Sequence, residues 1–193
     1  MQTPTLQPTA VVAEDQKSKG RYIITLADIV TDEAKRLQER FIKARDAGNM
    51  ELANQLIRRI NKKFGHEPLV IDNLIPTIGR SAIAKRLCGD TTYTGIVNYV
   101  MLGSGSTPPA NGDTQLTTEV YRRLIFSATP VNNVAYITGV FTAAEVSGTF
   151  AEVGLVIDGT GTANTGQLYS HALAAITKSA IQTLTIDWVV TLS

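Results

Sequence analysis

Cysteine is nearly absent from this 193-residue chain: Cys88 stands alone, which excludes an intramolecular disulfide and any multi-cysteine metal site. Histidine is almost as scarce. His66 and His171 lie far apart, and neither has a second ligand at helical spacing, so no metal and no cofactor is expected. No apolar run approaches the roughly 20 residues that span a bilayer, so no membrane association is expected. The opening Met1-Gln-Thr-Pro-Thr-Leu-Gln-Pro lacks the basic and apolar regions of a secretory leader, so synthesis in the cytoplasm is expected. Charge is also sparse, at 18% of residues, and it is unevenly placed. Residues 1–90 carry 15 Lys+Arg against 11 Asp+Glu, a net +4, whereas residues 91–193 carry 3 against 6, a net −3. A half with so few ionised groups, rich in Thr, Ala, Val, Ile and Gly, is suited to being covered by other protein.

What is present divides into three stretches. Residues 1–20 combine Pro4 and Pro8 with Thr and Gln and end in Glu14-Asp15-Gln16-Lys17-Ser18-Lys19-Gly20. Without periodicity such a stretch forms no core of its own. It reads as a tail, or as an extended arm ordered by lying on a neighbouring subunit. Residues 21–90 read mostly as helix. Thr31 or Asp32 caps a helix through Ala47, with Leu37, Phe41 and Ala44 on one face. Gly48 supplies a left-handed stop and Asn49 caps a second helix. There Ala53, Leu56, Ile57, Ile60 and Phe64 form one stripe that ends at Gly65. The two make a helical hairpin, and a third short helix is expected over Arg80 to Leu87 with Gly89 as its stop.

From residue 91 the pattern becomes β-branched and alternating, with strands expected over Val97–Leu102, Arg122–Ala128, Val134–Thr142, Glu152–Ile157, Gln167–Leu173 and Thr183–Leu192. Turn residues separate them at short intervals, the spacing of an antiparallel sandwich or barrel. In the last strand Leu184, Ile186, Trp188, Val190 and Leu192 share a face, which is expected to be buried. The fold class is therefore α+β: an extended arm (1–20), a helical region with a hairpin (21–90), and an antiparallel β-sandwich or barrel-like module (91–193).

The glycine-rich stretch between Leu102 and Arg122 invites a phosphate-binding reading, which its residues do not support. A phosphate loop needs a lysine and a helix opening on the glycines, whereas Pro108-Pro109 follows here and no lysine is present. It reads as a connector. His171 cannot use Ser170, because neighbours on a strand point to opposite faces. Asp113 with Glu119, or Glu145 with Glu152, could form a carboxylate pair. Acids in Thr-rich loops more commonly close turns, as Asp113-Thr114 can, or pair with arginines, as Glu119 can with Arg122 or Arg123. No catalytic residue is assigned and no enzymatic activity is expected. Arg58, Arg59, Lys62 and Lys63 form a broad basic face on the second helix. Without interleaved aromatics, and with Asp46 and Glu51 nearby, it reads as a solvated or protein-facing surface and not as a nucleic-acid site.

The connector, once set aside as a site, carries a resemblance. Tyr99-Val-Met-Leu-Gly-Ser-Gly-Ser-Thr-Pro-Pro-Ala-Asn-Gly-Asp-Thr-Gln-Leu-Thr-Thr-Glu-Val-Tyr-Arg resembles a pattern that recurs in small structural proteins (tail, fibre or capsid-associated) of tailed bacteriophages. Phe150-Ala-Glu-Val-Gly-Leu-Val, Gln167-Leu-Tyr-Ser-His-Ala and Leu184-Thr-Ile-Asp-Trp-Val-Val-Thr-Leu resemble later strands of that family, and Asn73-Leu-Ile-Pro-Thr-Ile-Gly-Arg-Ser-Ala-Ile-Ala-Lys-Arg-Leu resembles its introductory helix. The resemblance covers about residues 70–193. It implies a virion structural protein, made in the host cytoplasm, and implies no catalytic residues. The expectation placed first is a capsid-decorating (cement) protein, a homotrimer that clamps neighbouring major capsid proteins. Its candidate partner contacts are Leu6, Val11 and Val12 of the arm and Arg58, Arg59, Lys62 and Lys63 of the hairpin. The alternative is a tail, baseplate or fibre-attachment component. A reading of another class is a carbohydrate-binding module or hydrolase on the same β scaffold, for which Tyr93, Tyr99, Tyr121, Tyr136 and Tyr169 would have to supply exposed platforms.

Overall fold

The computed structural model describes residues 19–192. Along the chain these form β1 (Lys19–Asp28), α1 (Asp32–Asp46), α2 (Met50–Phe64), β2 (Leu69–Asp72), α3 (Thr77–Leu87), β3 (Val97–Gly103), β4 (Glu119–Leu124), β5 (Ser127–Val131), β6 (Val134–Phe141), β7 (Gly148–Ile157), β8 (Gln167–Lys178) and β9 (Gln182–Thr191). A five-stranded sheet has the order β2-β1-β9-β6-β5, and a four-stranded sheet has the order β4-β3-β7-β8. Every pairing is antiparallel. The α+β class, with a helical hairpin and a β-sandwich, is as the sequence leads one to expect.

Between the sheets lies the main core. Tyr22 and Ile24 of β1 and Leu184, Ile186, Trp188 and Val190 of β9 meet Val100, Leu102, Phe150, Val153 and Leu155 of the facing sheet. Close approach needs room at Gly139, where an added Cβ would press on Val100. Trp188 is buried, edge-on to Tyr169 at 5.5 Å between ring centroids. Leu192 departs from its expected burial. It lies one residue beyond β9 and is 55% exposed, because the facing sheet no longer covers that row.

The hairpin covers the other face of the five-stranded sheet. Its first helix starts as the sequence indicates: the Thr31 hydroxyl accepts from the Ala34 N–H at 3.1 Å, and the Asn49 side chain accepts from the Leu52 N–H at 3.1 Å for α2. Between them Gly48 adopts φ +72°, a left-handed turn that glycine adopts without strain. Gly65 ends α2 for a steric reason instead: its φ is −77°, and a Cβ there would collide with the Asn61 carbonyl. Leu37, Phe41 and Ala44 with Ala53, Leu56, Ile57 and Ile60 form a second core against Ala27, Ile29, Phe126, Val140 and Ala143. Phe41 meets Phe126 edge-on at 5.3 Å. Gln38 locks this layer, its side-chain oxygen accepting from the Ala143 N–H and the Thr183 hydroxyl.

Several sequence boundaries are corrected. The region expected to be mostly helical also supplies two strands, β1 and β2, and β1 already includes Lys19 and Gly20, which had been placed in the arm. The alternation of Tyr22 and Ile24 against Ile23 and Thr25 is real β periodicity. It is satisfied by β9, whose residues lie more than 150 positions further along the chain. The third helix starts at Thr77, three residues earlier than expected, directly after Pro76, a residue that suits a helix start and not its interior. The single strand expected over Arg122–Ala128 is two, β4 and β5, lying in different sheets. Ile125 and Phe126 carry the chain from one sheet to the other.

Candidate functional site

The outer face of the four-stranded sheet carries the most unusual chemistry, and the glycine-rich loop lies over it. Strand β7 projects Glu152 onto this face, where it is wholly buried. A carboxylate in such a place needs several donors, and the loop provides them from its backbone. The Gly105 N–H donates to Oε1 at 3.0 Å, the Thr118 N–H to Oε1 at 2.7 Å, and the Thr117 N–H to Oε2 at 3.0 Å. A side chain at Gly103 or Gly105 would collide with that carboxylate. The glycines thus do cradle an anion, and the anion is the chain's own Glu152.

His171 extends the cluster from β8. Its Nε2 lies 3.0 Å from Glu152 Oε2 and its Nδ1 lies 2.9 Å from Asp113 Oδ2, so the ring bridges the two acids. Asp113 Oδ2 also accepts from the Ala110 N–H at 2.8 Å, the turn-closing use expected of an acid in this loop. Ser170 points the other way, into the sandwich, where Tyr22 Oη donates to it at 2.8 Å and Asn73 Nδ2 at 2.7 Å. Burial pushes the Tyr22 hydroxyl pKa well up, with the Ser170 hydrogen bond acting in the opposite direction. Among the described residues no hydroxyl or thiol is hydrogen-bonded to His171. The Asp113–His171–Glu152 chain was missed from the sequence, which separates its members by 19 and 58 positions. The available signal was a scarce histidine on a β strand together with two glycines in need of a reason.

The remaining charges of this half are bound just as tightly. Glu119 and Arg122 form a bidentate pair at 2.5 and 2.6 Å, with side chains 1% and 4% exposed. Arg122 also donates to the Thr160 and Thr165 carbonyls, and Glu119 accepts from the Asn164 N–H. The pairing of Glu119 with Arg122 is one the sequence allowed. Glu145 pairs with Arg123 and accepts from the Thr142 N–H and hydroxyl. Asp158 is held by the Thr94 N–H and hydroxyl, and Asp187 by the Thr138 hydroxyl. Lys178 is buried, and among the described residues its partners are the carbonyls of Glu145 and Ser179 at 3.1 and 3.4 Å. Burial lowers its pKa to about 8. None of the nine acidic and basic side chains in residues 91–192 stands freely exposed.

The basic residues of α2 are all exposed. Lys63 pairs with Glu33 of α1 at 2.5 Å and Arg59 approaches the same carboxylate at 3.9 Å. Arg58 lies near enough to Asp187 to favour its ionised form, against the burial that raises the Asp187 pKa. Lys62 has no carboxylate within 4 Å among the described residues. The arm contacts Leu6, Val11 and Val12 lie outside the described residues. Among the described residues no group of three or more His, Cys, Asp or Glu side chains is arranged to hold a metal ion, and no helix is long and apolar enough to cross a membrane. No family model, curated protein or solved structure matches the chain.

Proposed function

We propose that this chain is a structural protein of a tailed-bacteriophage virion, and within it a capsid-decorating protein that forms homotrimers and clamps neighbouring major capsid proteins. One observation carries the reading: residues 91–192, which supply seven of the nine strands, present no freely exposed charge. Their acids and bases are spent inward, holding loops, and their surface is left to Thr, Ser and apolar side chains such as Val120, Leu124 and Ile96. Depletion of charge marks the core of protein–protein interfaces. The phage resemblance of residues 70–193 gives that covered surface a setting. In it, Arg58 and Lys62 of the hairpin and Leu6, Val11 and Val12 of the arm are the contacts to neighbouring subunits or to the shell.

The test is uptake of the purified full-length chain by mature capsid shells, with stoichiometry read on a quantitative gel of purified particles. Hundreds of copies per particle, labelled by antibody on heads, are expected of a shell component in a symmetric assembly. A few to a few dozen copies, labelled on tails, would transfer the chain to the tail. Absence from particles altogether would remove it from the virion.

A further inference from the structure

The tip of the glycine-rich loop holds the one Asn-Gly pair of the chain, Asn111-Gly112. Both residues are exposed, and they lie in a turn closed by the Asp113 N–H, which donates to the Ala110 carbonyl at 3.1 Å. A Cβ added at Gly112 would meet nothing within 4 Å, and among the described residues the Gly112 N–H has no acceptor. The two oxygens of Asn111 are held instead. Its carbonyl accepts at 3.0 Å from the N–H of Thr77, the first residue of α3. Its side-chain Oδ1 accepts at 3.1 Å from Arg80 Nη2, one turn further along the same helix. The guanidinium is itself anchored, with the Thr77 hydroxyl accepting from Nη2 and the Ile75 carbonyl from Nη1.

We infer that Asn111 is a self-modification site, where the Gly112 nitrogen closes onto the Asn111 side chain and the amide becomes a carboxylate. Water is the one co-reactant. Hydroxide takes the Gly112 N–H proton, the nitrogen bonds to Cγ of Asn111, and the bond from Cγ to Nδ2 breaks, so that ammonia leaves with a proton from water. Water then opens the cyclic imide at either carbonyl, giving an aspartyl residue at position 111 or its isomer with the backbone routed through the side chain. Negative charge develops in turn on two oxygens. Loss of the N–H proton places it on the Asn111 carbonyl, and ring closure places it on Oδ1. These are the two oxygens that α3 supplies with donors: the N–H at its positive end serves the first, and the Arg80 guanidinium serves the second. Glycine at position 112 suits the attack, because no side chain shields its nitrogen and its backbone turns freely. The product carboxylate remains opposite Arg80, so a neutral contact between the loop and α3 becomes a charged one with age.

The test is incubation of the purified full chain at mildly alkaline pH, with proteolytic peptides read by mass over time and the isomer detected by isoaspartyl methyltransferase labelling. Conversion is expected at Asn111 ahead of every other asparagine, at a rate that rises with hydroxide concentration. Gly112→Ala should slow it at least tenfold. Arg80→Ala, with its circular dichroism unchanged, should slow it roughly tenfold, and Arg80→Lys, which keeps a cationic donor, should fall between. Conversion led by another asparagine, or none at Asn111, would overturn the inference. So would an unchanged or faster rate in Arg80→Ala, since the guanidinium would then restrain the side chain and not activate it. If Arg80→Ala does not fold, a synthetic peptide of residues 106–116 decides. It lacks both α3 donors, so the folded chain should convert faster than the peptide, and slower conversion in the folded chain overturns the inference.

Discussion

In α1 and α2 the ionised side chains stand in water: Lys35, Arg36, Arg40, Lys43, Arg58, Arg59, Lys62 and Lys63 are all exposed, as are Asp32, Glu39, Asp46 and Glu51. In residues 91–192 none of nine does. Both regions bury a continuous apolar face, and they differ in what their polar groups do. The hairpin uses charge for solvation, with the weak pairs that exposed helices allow. The β half uses charge as internal fastening: Glu152, Glu119 and Glu145 each accept from backbone N–H groups of loops, and Asp187 joins β9 to β6 through Thr138. Removing a carboxylate that is bonded to several donors should therefore cost much in the β half, whereas removing an exposed charge of the hairpin should cost little.

The largest expected effect is that of Glu152→Ala. It leaves three backbone N–H groups without their acceptor and His171 without one of its two partners, and should destabilise by about 3–5 kcal/mol in urea unfolding. Hydrogen exchange should show the loss of protection concentrated in residues 104–118, while α1 and α2 keep theirs. Uniform loss across both regions would erase the contrast. Phe41→Ala, which removes the centre of the hairpin core, should cost about 3–4 kcal/mol, so that apolar packing counts alike in both regions.

Lys178→Met should stabilise by about 1 kcal/mol, because among the described residues its buried ammonium meets carbonyls and no carboxylate. The associated pH dependence has a definite sign. The pKa of about 8 in the folded chain lies below the ordinary 10.5, so between these values the unfolded chain holds a proton that the folded one has lost. Stability should rise with pH across that window, and the substitution should flatten this rise in a series of denaturation curves. Smallest of all, Lys63→Ala breaks the exposed pair with Glu33 and should change stability by no more than about 0.5 kcal/mol. A larger loss would mean that hairpin charges fasten structure too.

The hairpin was legible in the sequence because its signals are local. The Thr31 and Asn49 caps, Gly48 and the Phe41 and Ile60 stripes all act within a few residues of one another. Most strands of the β half were legible by alternation, though their placement in sheets was not. Pairing joins segments as distant as β1 and β9, and Arg122–Ala128 reads as one run although it serves both sheets. The Glu152 cluster was hidden for the same reason. Gly105, Asp113, Glu152 and His171 each have an ordinary local explanation, and only folding makes them one unit. Gly103 and Gly105 are its visible trace in the sequence, and they suggest an external phosphate because Glu152 lies more than 40 positions further along the chain.

Glu152 has a consequence for engineering. It grips the glycine-rich loop at Gly105 on one side and at Thr117 and Thr118 on the other, and Arg80 and Asp113 hold the returning limb near Asn111 and Ala110. The span between the two limbs is set by the scaffold and not by the tip that joins them. A foreign peptide spliced between Thr107 and Pro108 would thus start and finish at fixed anchorage, giving the chain a ready display point whose cargo leaves the sandwich undisturbed.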